Sequence, residues 1–377
     1  MKIAIIGTRG IPNNYGGFEQ VTEWLSEGLV EKGHDVSVYS PHHHPYQNNT
    51  WRNVQIRHCY EPDKLKTVSQ FIYDFNCIMD ARRQEYDVIV FMGYTSSSIW
   101  HRFFPKNAVI VSNMDGLEWK RSKYSKPVQQ FLKYAEKLAV RHSHFHIADA
   151  PGIRDYYRHK YNINCRYIPY AASCAFTELP AIHERYSVKK NNYYMLMARM
   201  EPENNIDLVL DGFTDTDTEA DFLVVGNHRC RYGKYLMSKY REDSRIKFTG
   251  AIFDQDAVHT LRKHALIYFH GHSVGGTNPS LLEAMASKAV IAAHDNEFNR
   301  AVLENDAFSF STPDDIPAIL QNFLKYDHLK MKERNALKIS YIYNQQSVID
   351  QYEDFLLECF EKKKNEKLVY HQGYAYK

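Results

Sequence analysis

Lys2-Ile3-Ala4-Ile5-Ile6-Gly7 opens the stretch that decides the fold, which runs on to Val36-Ser37-Val38-Tyr39. A short apolar run ended by glycine reads as a buried parallel strand. The loop that follows, Gly10 to Gly17, holds Pro12, Asn13, Asn14 and the pair Gly16-Gly17. From Phe18 onward Val21, Leu25 and Leu29 recur every four residues, the pattern of an amphipathic helix, and Gly33 ends it. Val36 to Tyr39 is then a second strand. Strand, glycine loop, helix, strand is one right-handed βαβ unit.

The same alternation continues outward. Val88–Met92, Val109–Ser112 and His144–Asp149 read as further strands with helical patterns between them. It then restarts, with strands at 193–198, 222–226, 246–248, 266–270 and 289–293 and short helices at 206–213 and 280–287. Two such runs predict an α/β protein of two Rossmann-like, doubly wound domains facing a cleft. The expected boundaries are 1–172, 173–344 and 345–377, with Tyr170 to Asn192 as the joint. The last segment carries Val348, Tyr352, Phe355, Leu356, Cys359 and Phe360 on one helical stripe, which requires a partner, expected in the first domain.

Composition agrees and narrows the function. At 377 residues the chain exceeds what one core organises. Its 44% apolar and 24% charged residues are ordinary globular usage, which excludes a disordered or fibrous protein. A net charge of +2 gives no reason to expect nucleic acid as a partner. No apolar run approaches the ~20 residues that span a bilayer, and Met1–Ile6 turns too soon for a signal peptide. The six cysteines (Cys59, Cys77, Cys165, Cys174, Cys230, Cys359) contain no Cys-x-x-Cys pair, as expected of reduced thiols in a cytoplasmic protein.

The first glycine loop does not fit a dinucleotide. Gly7-Thr8-Arg9-Gly10 lacks the third glycine of G-x-G-x-x-G, and the second strand ends in Ser40-Pro41 instead of an acid for a ribose hydroxyl. No Gly-Lys-Ser/Thr ending marks a P-loop. Gly16-Gly17 either let the backbone approach a ligand at the helix start or make a tight turn. The second loop says more. In His270-Gly271-His272-Ser273-Val274-Gly275-Gly276-Thr277-Asn278-Pro279-Ser280-Leu281-Leu282-Glu283, Asn278 is suited to the N-cap and Pro279 to the first helical turn. Its glycines and the free amides at Asn278–Leu281 are expected to face an anion at the strand's carboxyl end. Glu283, a turn inside the helix, is placed to accept from ribose hydroxyls, or else is an exposed helix carboxylate.

With those residues quoted, the loop resembles the donor site of retaining GT-B-fold glycosyltransferases of family four. Their loop carries two glutamates eight positions apart; Glu283 matches the second and Gly275 stands at the first. Tyr194–Ala198 followed by Arg199-Met200-Glu201-Pro202-Glu203-Asn204 resembles the segment bearing the diphosphate-binding arginine and lysine. Arg199 matches the arginine, and Asn204 occupies the lysine position. Val224-Val225-Gly226-Asn227 resembles the element near the base. Lys2-Ile3-Ala4, Gly16-Gly17-Phe18-Glu19 and Asn113 through Arg121 are similar to a narrower rhamnosyltransferase-like subgroup of bacterial surface-polysaccharide synthesis, which also has Gly-Gly-Thr-Asn-Pro-Ser in place of the first glutamate.

The resemblance implies retaining, metal-independent transfer of a hexosyl or deoxyhexosyl unit, such as rhamnose from dTDP-rhamnose. The acceptor would be a growing surface polysaccharide or a lipid-linked glycan, and no cofactor is expected beyond the nucleotide sugar. Arg199 and Glu283 are the expected catalytic contacts. The donor would touch Gly16, Gly17, Arg199, Asn204, Asn227, Gly275, Gly276, Thr277, Asn278, Ser280, Leu281 and Glu283. Asp115, a lone acid in a Met-Asp-Gly turn, is the candidate to orient or deprotonate the acceptor, with Glu19 and Glu118 on the same side; a plain turn former is the alternative. A non-catalytic partner subunit and a sugar-nucleotide epimerase are the other readings. Asp215-x-Asp217 and Asp254-x-Asp256 have metal-like spacing but sit where solvated acids are expected. Lys120, Arg121, Lys123, Lys126, Lys133 and Lys137 accompany an apolar stripe of Val128, Phe131, Leu132, Ala135, Leu138 and Ala139. That combination suits either a peripheral contact with the inner face of the cytoplasmic membrane or a solvated helix facing the core.

Overall fold

A computed structural model of the chain describes residues 1–62, 67–114, 116–121 and 124–374. The chain divides into two compact units, one of Met1–Trp119, Tyr124–Pro169 and the segment from Gln345 onward, the other of Tyr170–Asn344 with Lys120–Lys123.

The first unit is built on an eight-stranded sheet. Its strands are β1 (Lys2–Ile6), β2 (Asp35–Pro41), β3 (Thr50–Trp51), β4 (Val54–Cys59), β5 (Val88–Met92), β6 (Val109–Asn113), β7 (Phe145–Ala148) and β8 (Arg166–Tyr167). The spatial order is β3-β4-β2-β1-β5-β6-β7-β8, parallel throughout except for the β3–β4 pair. Ile3 and Ile5 pair with Val36 and Val38 on one side, and Ile3 with Val88 on the other. β1, β5 and β6 are apolar runs buried on both faces, as a helix-covered parallel sheet requires. The helices include α1 (Gly17–Glu31), α2 (Thr67–Ala81), α3 (Lys126–His142) and α4 (Pro151–Tyr161).

The C-terminal helix Gln345–Tyr374 belongs to this unit and packs on α1 and β6. Val348, Tyr352, Leu356 and Cys359 are sealed, and a Cβ on Gly28 of α1 would lie 2.4 Å from Ile349 Cδ1. Lys32 ties the helix to Asp350 at 2.8 Å and Glu353 at 2.7 Å.

The second unit has a six-stranded, all-parallel sheet: β9 (Tyr193–Met197), β10 (Asp221–Val225), β11 (Ile246–Gly250), β12 (Tyr268–His270), β13 (Ile291–His294) and β14 (Phe308–Phe310), in the order β11-β10-β9-β12-β13-β14. Its helices include α5 (Ile182–Arg185), α6 (Ile206–Thr214), α7 (Arg231–Lys239), α8 (Gln255–His264) and α9 (Pro279–Ala286). Tyr194, Leu196, Phe213, Phe222 and Phe269 form the centre of its core. Residues 170–192 are not a bare joint. Thr177 and Leu179 donate their amides to Asp256 and Thr260 on α8, and Glu178 pairs with Lys263 and His264 at 2.6 Å.

The basic helix α3 divides its apolar stripe. Leu132, Ala135, Leu138 and Ala139 are buried, whereas Val128, Phe131 and Tyr134 are exposed alongside Lys126, Lys133 and Lys137. Glu136 is sealed and accepts from Trp119 Nε1, Tyr156 Oη, Lys160 Nζ and Tyr161 Oη at 2.6–3.0 Å. Arg121 departs from the expected surface patch: its side chain is 14% exposed and lies 3.5 Å from Glu203. Lys123 lies outside the described residues. All six cysteines are free thiols.

Candidate functional site

In the second sheet the chain runs outward from β9 through β10 to β11, then returns to place β12 on the other flank of β9. Ligands of open parallel sheets bind at the carboxyl ends of the strands that flank such a reversal. Here those ends lead into Arg199, two residues past β9, and into the glycine loop 271–278, directly after β12. Two segments far apart in sequence therefore meet at one edge.

Main-chain bonding holds them together. A Cβ on Gly271 would lie 2.1 Å from the Asn204 carbonyl oxygen, so only glycine admits that approach. Ser273 donates both its amide (3.2 Å) and its hydroxyl (2.8 Å) to the Glu203 carbonyl, and Asn205 Nδ2 donates to the Gly271 carbonyl at 2.8 Å. Asn204 is buried and donates Nδ2 to the Arg199 carbonyl at 2.7 Å, which fixes the arginine's backbone while leaving its side chain exposed. Gly275 adopts φ +127°, and nothing stands within 4 Å of where a Cβ would lie, so space exists there but the backbone favours glycine.

Asn278 caps α9, accepting the Ser280 amide at 2.9 Å, with Pro279 in the first turn. The expected free amides are not free, however. Leu281 and Leu282 donate to the Asn278 carbonyl at 3.0 and 3.2 Å, and Pro279 has no N–H. What the helix start offers an anion is therefore its dipole field, with direct donation left to the loop before it.

Glu283 is neither exposed nor solvated. It is 8% exposed, and its Oε2 accepts from Arg262 Nη1 at 2.6 Å. Arg262, on α8, is fully buried; its Nη2 donates to Ser280 Oγ at 2.8 Å, and its guanidinium lies 5.2 Å from the Tyr268 ring centre. Sequence reasoning missed this residue. A signal existed: Val258, Leu261 and Arg262 fall on one helical face, so a cation stands within the buried stripe of α8. The pair fixes both Ser280 and Glu283 at the start of α9.

His270 and His272 stack at 4.4 Å with 17° between their planes. His270 is sealed with neither ring nitrogen bonded. Burial, reinforced by Arg199, Arg121 and Arg262, pushes the His272 imidazole down to about 3, so it is uncharged at neutral pH. Three guanidinium groups thus act on one imidazole of the glycine loop. Asn227 follows β10, and its Oδ1 accepts the Arg229 amide at 3.1 Å. Thr277 is buried, and Gly276 is partly exposed. Of the metal-like acids, Asp254 caps α8 through Ala257 and Asp256 accepts from Thr177. Among the described residues no group of three His, Cys, Asp or Glu side chains converges as a metal site.

Of the residues expected in the first unit, Gly16, Gly17 and Glu19 follow the carboxyl end of β1 and Glu118 follows that of β6. Gly16 is the extended N-cap of α1, and Glu19 turns back so that Oε1 accepts the Arg9 amide at 2.7 Å. Glu19 is buried, which raises its pKa against the lowering effect of that bond. A carboxylate of the protein itself therefore sits at this helix start, beside Gly16 and Gly17. Arg9 also pairs with buried Glu61, which accepts from Ser69 Oγ at 2.7 Å. Nearby Asp74 is sealed beneath Ser96 and Gln70, and burial pushes its carboxyl up to about 6. Arg9, Glu61 and Asp74 were not legible as a cluster. Glu118 is partly buried in a short turn, Glu118–Lys120. Asp115 lies outside the described residues.

Two family models match parts of the chain. Residues 1–173 match a domain of unknown function (DUF1972), and residues 180–338 match the family of glycosyl transferases group 1. No curated protein matches the chain. Among solved structures, sucrose-phosphate synthase from Thermosynechococcus elongatus is similar with a TM-score of 0.80 at 16% identity, covering 96% of this chain and 99% of its own. HepE of Anabaena in complex with UDP-glucose gives 0.74 at 13% identity, covering 95% and 99%. The catalytic domain of starch synthase IV from Arabidopsis thaliana, bound to ADP and acarbose, gives 0.69 at 12% identity, covering 96% and 99%. Residues 180–338 thus match the glycosyl transferases group 1 family, in a chain with the GT-B fold.

Proposed function

We propose that the protein is a retaining glycosyltransferase that moves a hexosyl or deoxyhexosyl unit, rhamnose being the favoured one, from a nucleoside diphosphate sugar to a growing surface polysaccharide or lipid-linked glycan. The observation that carries this reading is the meeting of Arg199 and the glycine loop 271–278 at the β9/β12 reversal, inside the segment that matches group 1 glycosyl transferases. Transfer requires stabilising the charge that develops on the departing diphosphate. The exposed Arg199 side chain and the dipole of α9 supply this field. The acceptor hydroxyl attacks from the face the diphosphate leaves, and the leaving phosphate oxygen takes its proton, so no protein nucleophile and no metal ion are needed. Glu283, fixed by Arg262, reads the ribose hydroxyls. A lipid-linked acceptor is supported by the exposed Val128, Phe131 and Tyr134 among the lysines of α3, the pattern of a helix lying on an anionic membrane surface. Liposome co-sedimentation tests that contact: loss of binding in Phe131→Ser/Tyr134→Ser is expected, and unchanged binding rejects it.

The test of the reaction is calorimetric binding of dTDP, UDP and GDP in the presence of a chelator. One diphosphate is expected to bind at micromolar concentration, and Arg199→Gln to weaken it by about ten- to a hundredfold, the ~1.5–3 kcal/mol worth of a hydrogen bond to a charged group. Absence of binding by all three sinks the reading. Binding without turnover on any acceptor moves the partner-subunit reading to the front.

A further inference from the structure

A nucleoside diphosphate brings two to three negative charges to the β9/β12 edge, and Arg199 alone leaves most of that charge unmatched. The other cations of the edge can be assigned in turn. Arg262 is sealed and committed to Glu283 and Ser280. Position 204 is an uncharged asparagine, buried and bonded to the Arg199 carbonyl. Arg121 groups with the second unit and reaches Glu203, the residue whose carbonyl receives both donors of Ser273 in the glycine loop. Its contact with Glu203 is long, 3.5 Å from Nη1 to Oε1, and neither Glu203 oxygen has a hydrogen-bond partner although both are sealed. At 3.5 Å the guanidinium is paired with that carboxylate by charge, beyond hydrogen-bond distance. After burial itself, Arg199 and then Arg121 are the charges that most oppose protonation of His272 in the glycine loop.

We propose that Arg121 is the second diphosphate-binding cation of the site, closing on the donor phosphates opposite Arg199 while Glu203 holds it in readiness. This rests on the glycosyltransferase reading above. A planar guanidinium matches two phosphate oxygens at once, so Arg121 adds to binding of the second phosphate and to stabilisation of the leaving diphosphate. Arg121 meets the phosphate with N–H groups that it does not turn to Glu203, so the buried acid keeps its cation as the phosphate arrives.

The experiment is calorimetry on the full chain with the diphosphate that binds the wild type and with the monophosphate of the same nucleoside. Arg121→Gln is expected to weaken the diphosphate at least tenfold and the monophosphate less than threefold. Arg121→Lys keeps the charge and should recover more than half of the loss on a logarithmic scale. Glu203→Gln removes the holding acid and should leave diphosphate affinity unchanged or tighter. The proposal is overturned if Arg121→Gln binds the diphosphate as the wild type does. It is equally overturned by equal weakening of both nucleotides, or by Glu203→Gln reproducing the loss, either of which marks a purely structural ion pair. If the wild type binds no nucleoside diphosphate, the functional reading itself has failed. If the wild type binds and the three variants do not separate as stated, only the role of Arg121 has failed.

Discussion

Arg262→Met removes a guanidinium from the interior of the second unit and leaves its aliphatic stem. Three interactions go with it: the 2.6 Å bond to Glu283, the 2.8 Å bond to Ser280 and the contact with the Tyr268 ring. Glu283, 8% exposed, then keeps a charge with its cation gone. Breaking one side of a buried pair costs about 3–5 kcal/mol, whereas removing both partners together is often nearly neutral. The double variant Arg262→Met/Glu283→Leu should therefore be more stable than Arg262→Met alone by about 2 kcal/mol or more. For a unit of this size 1 kcal/mol moves the midpoint by about 2–4 °C, so the single variant should melt about 10 °C early. The chain provides its own control. Trp24, Trp51, Trp100 and Trp119 all lie in the first unit, so tryptophan fluorescence should report an unchanged transition while circular dichroism shows the shift. If the two substitutions prove additive within about 0.5 kcal/mol, the pair does not couple and Glu283 is held by something else.

Two further outcomes concern the first unit. Asp74, held at about 6 instead of the ordinary 3.8, is favoured in its neutral form by the folded state, so its ionisation opposes folding. Stability should fall by about 2.4 kcal/mol as pH rises from 4 to 7 and then level; Asp74→Asn, followed by urea unfolding at both pH values, should lack that slope, and an equal slope in the variant refutes the assignment. Gly28→Val places side-chain atoms where Ile349 already stands; it should destabilise the first unit by about 1–3 kcal/mol, and Gly28→Val/Ile349→Ala should recover part of the loss, as tryptophan-detected unfolding would show.

The strands that announced themselves in the sequence are those buried on both faces. β1, β5, β9 and β10 are apolar runs closed by glycine or a short polar turn, and their positions follow from that alone. β4 escaped because Gln55, Arg57 and His58 interrupt its apolar positions, a consequence of lying one strand from the sheet edge. β8 and β14, of two and three residues, are too short to carry a period. At the site, the Asn278-Pro279 signal located the start of α9 correctly, yet the same cap consumes the amides that were expected to meet an anion. The Arg262–Glu283 pair joins two helices through space, and no local pattern states which acid a buried cation will meet. Arg121 was legible only as one charge in a basic run; its burial against Glu203 is a tertiary fact.

The helix Gln345–Tyr374 gives the first unit a further consequence, one of timing. Its side chains complete the packing around α1 and β6, but the ribosome makes it only after the whole of Tyr170–Asn344. At about 5–20 residues per second that interval is about 10–35 s, during which the Gly28 face of α1 waits uncovered. The second unit, uninterrupted from Tyr170 to Asn344, has most of its residues by then. Order of maturation is thus the reverse of order of synthesis, and a nascent chain stalled before Gln345 would present a finished second unit behind an unfinished, apolar-faced first unit, the natural target of a chaperone.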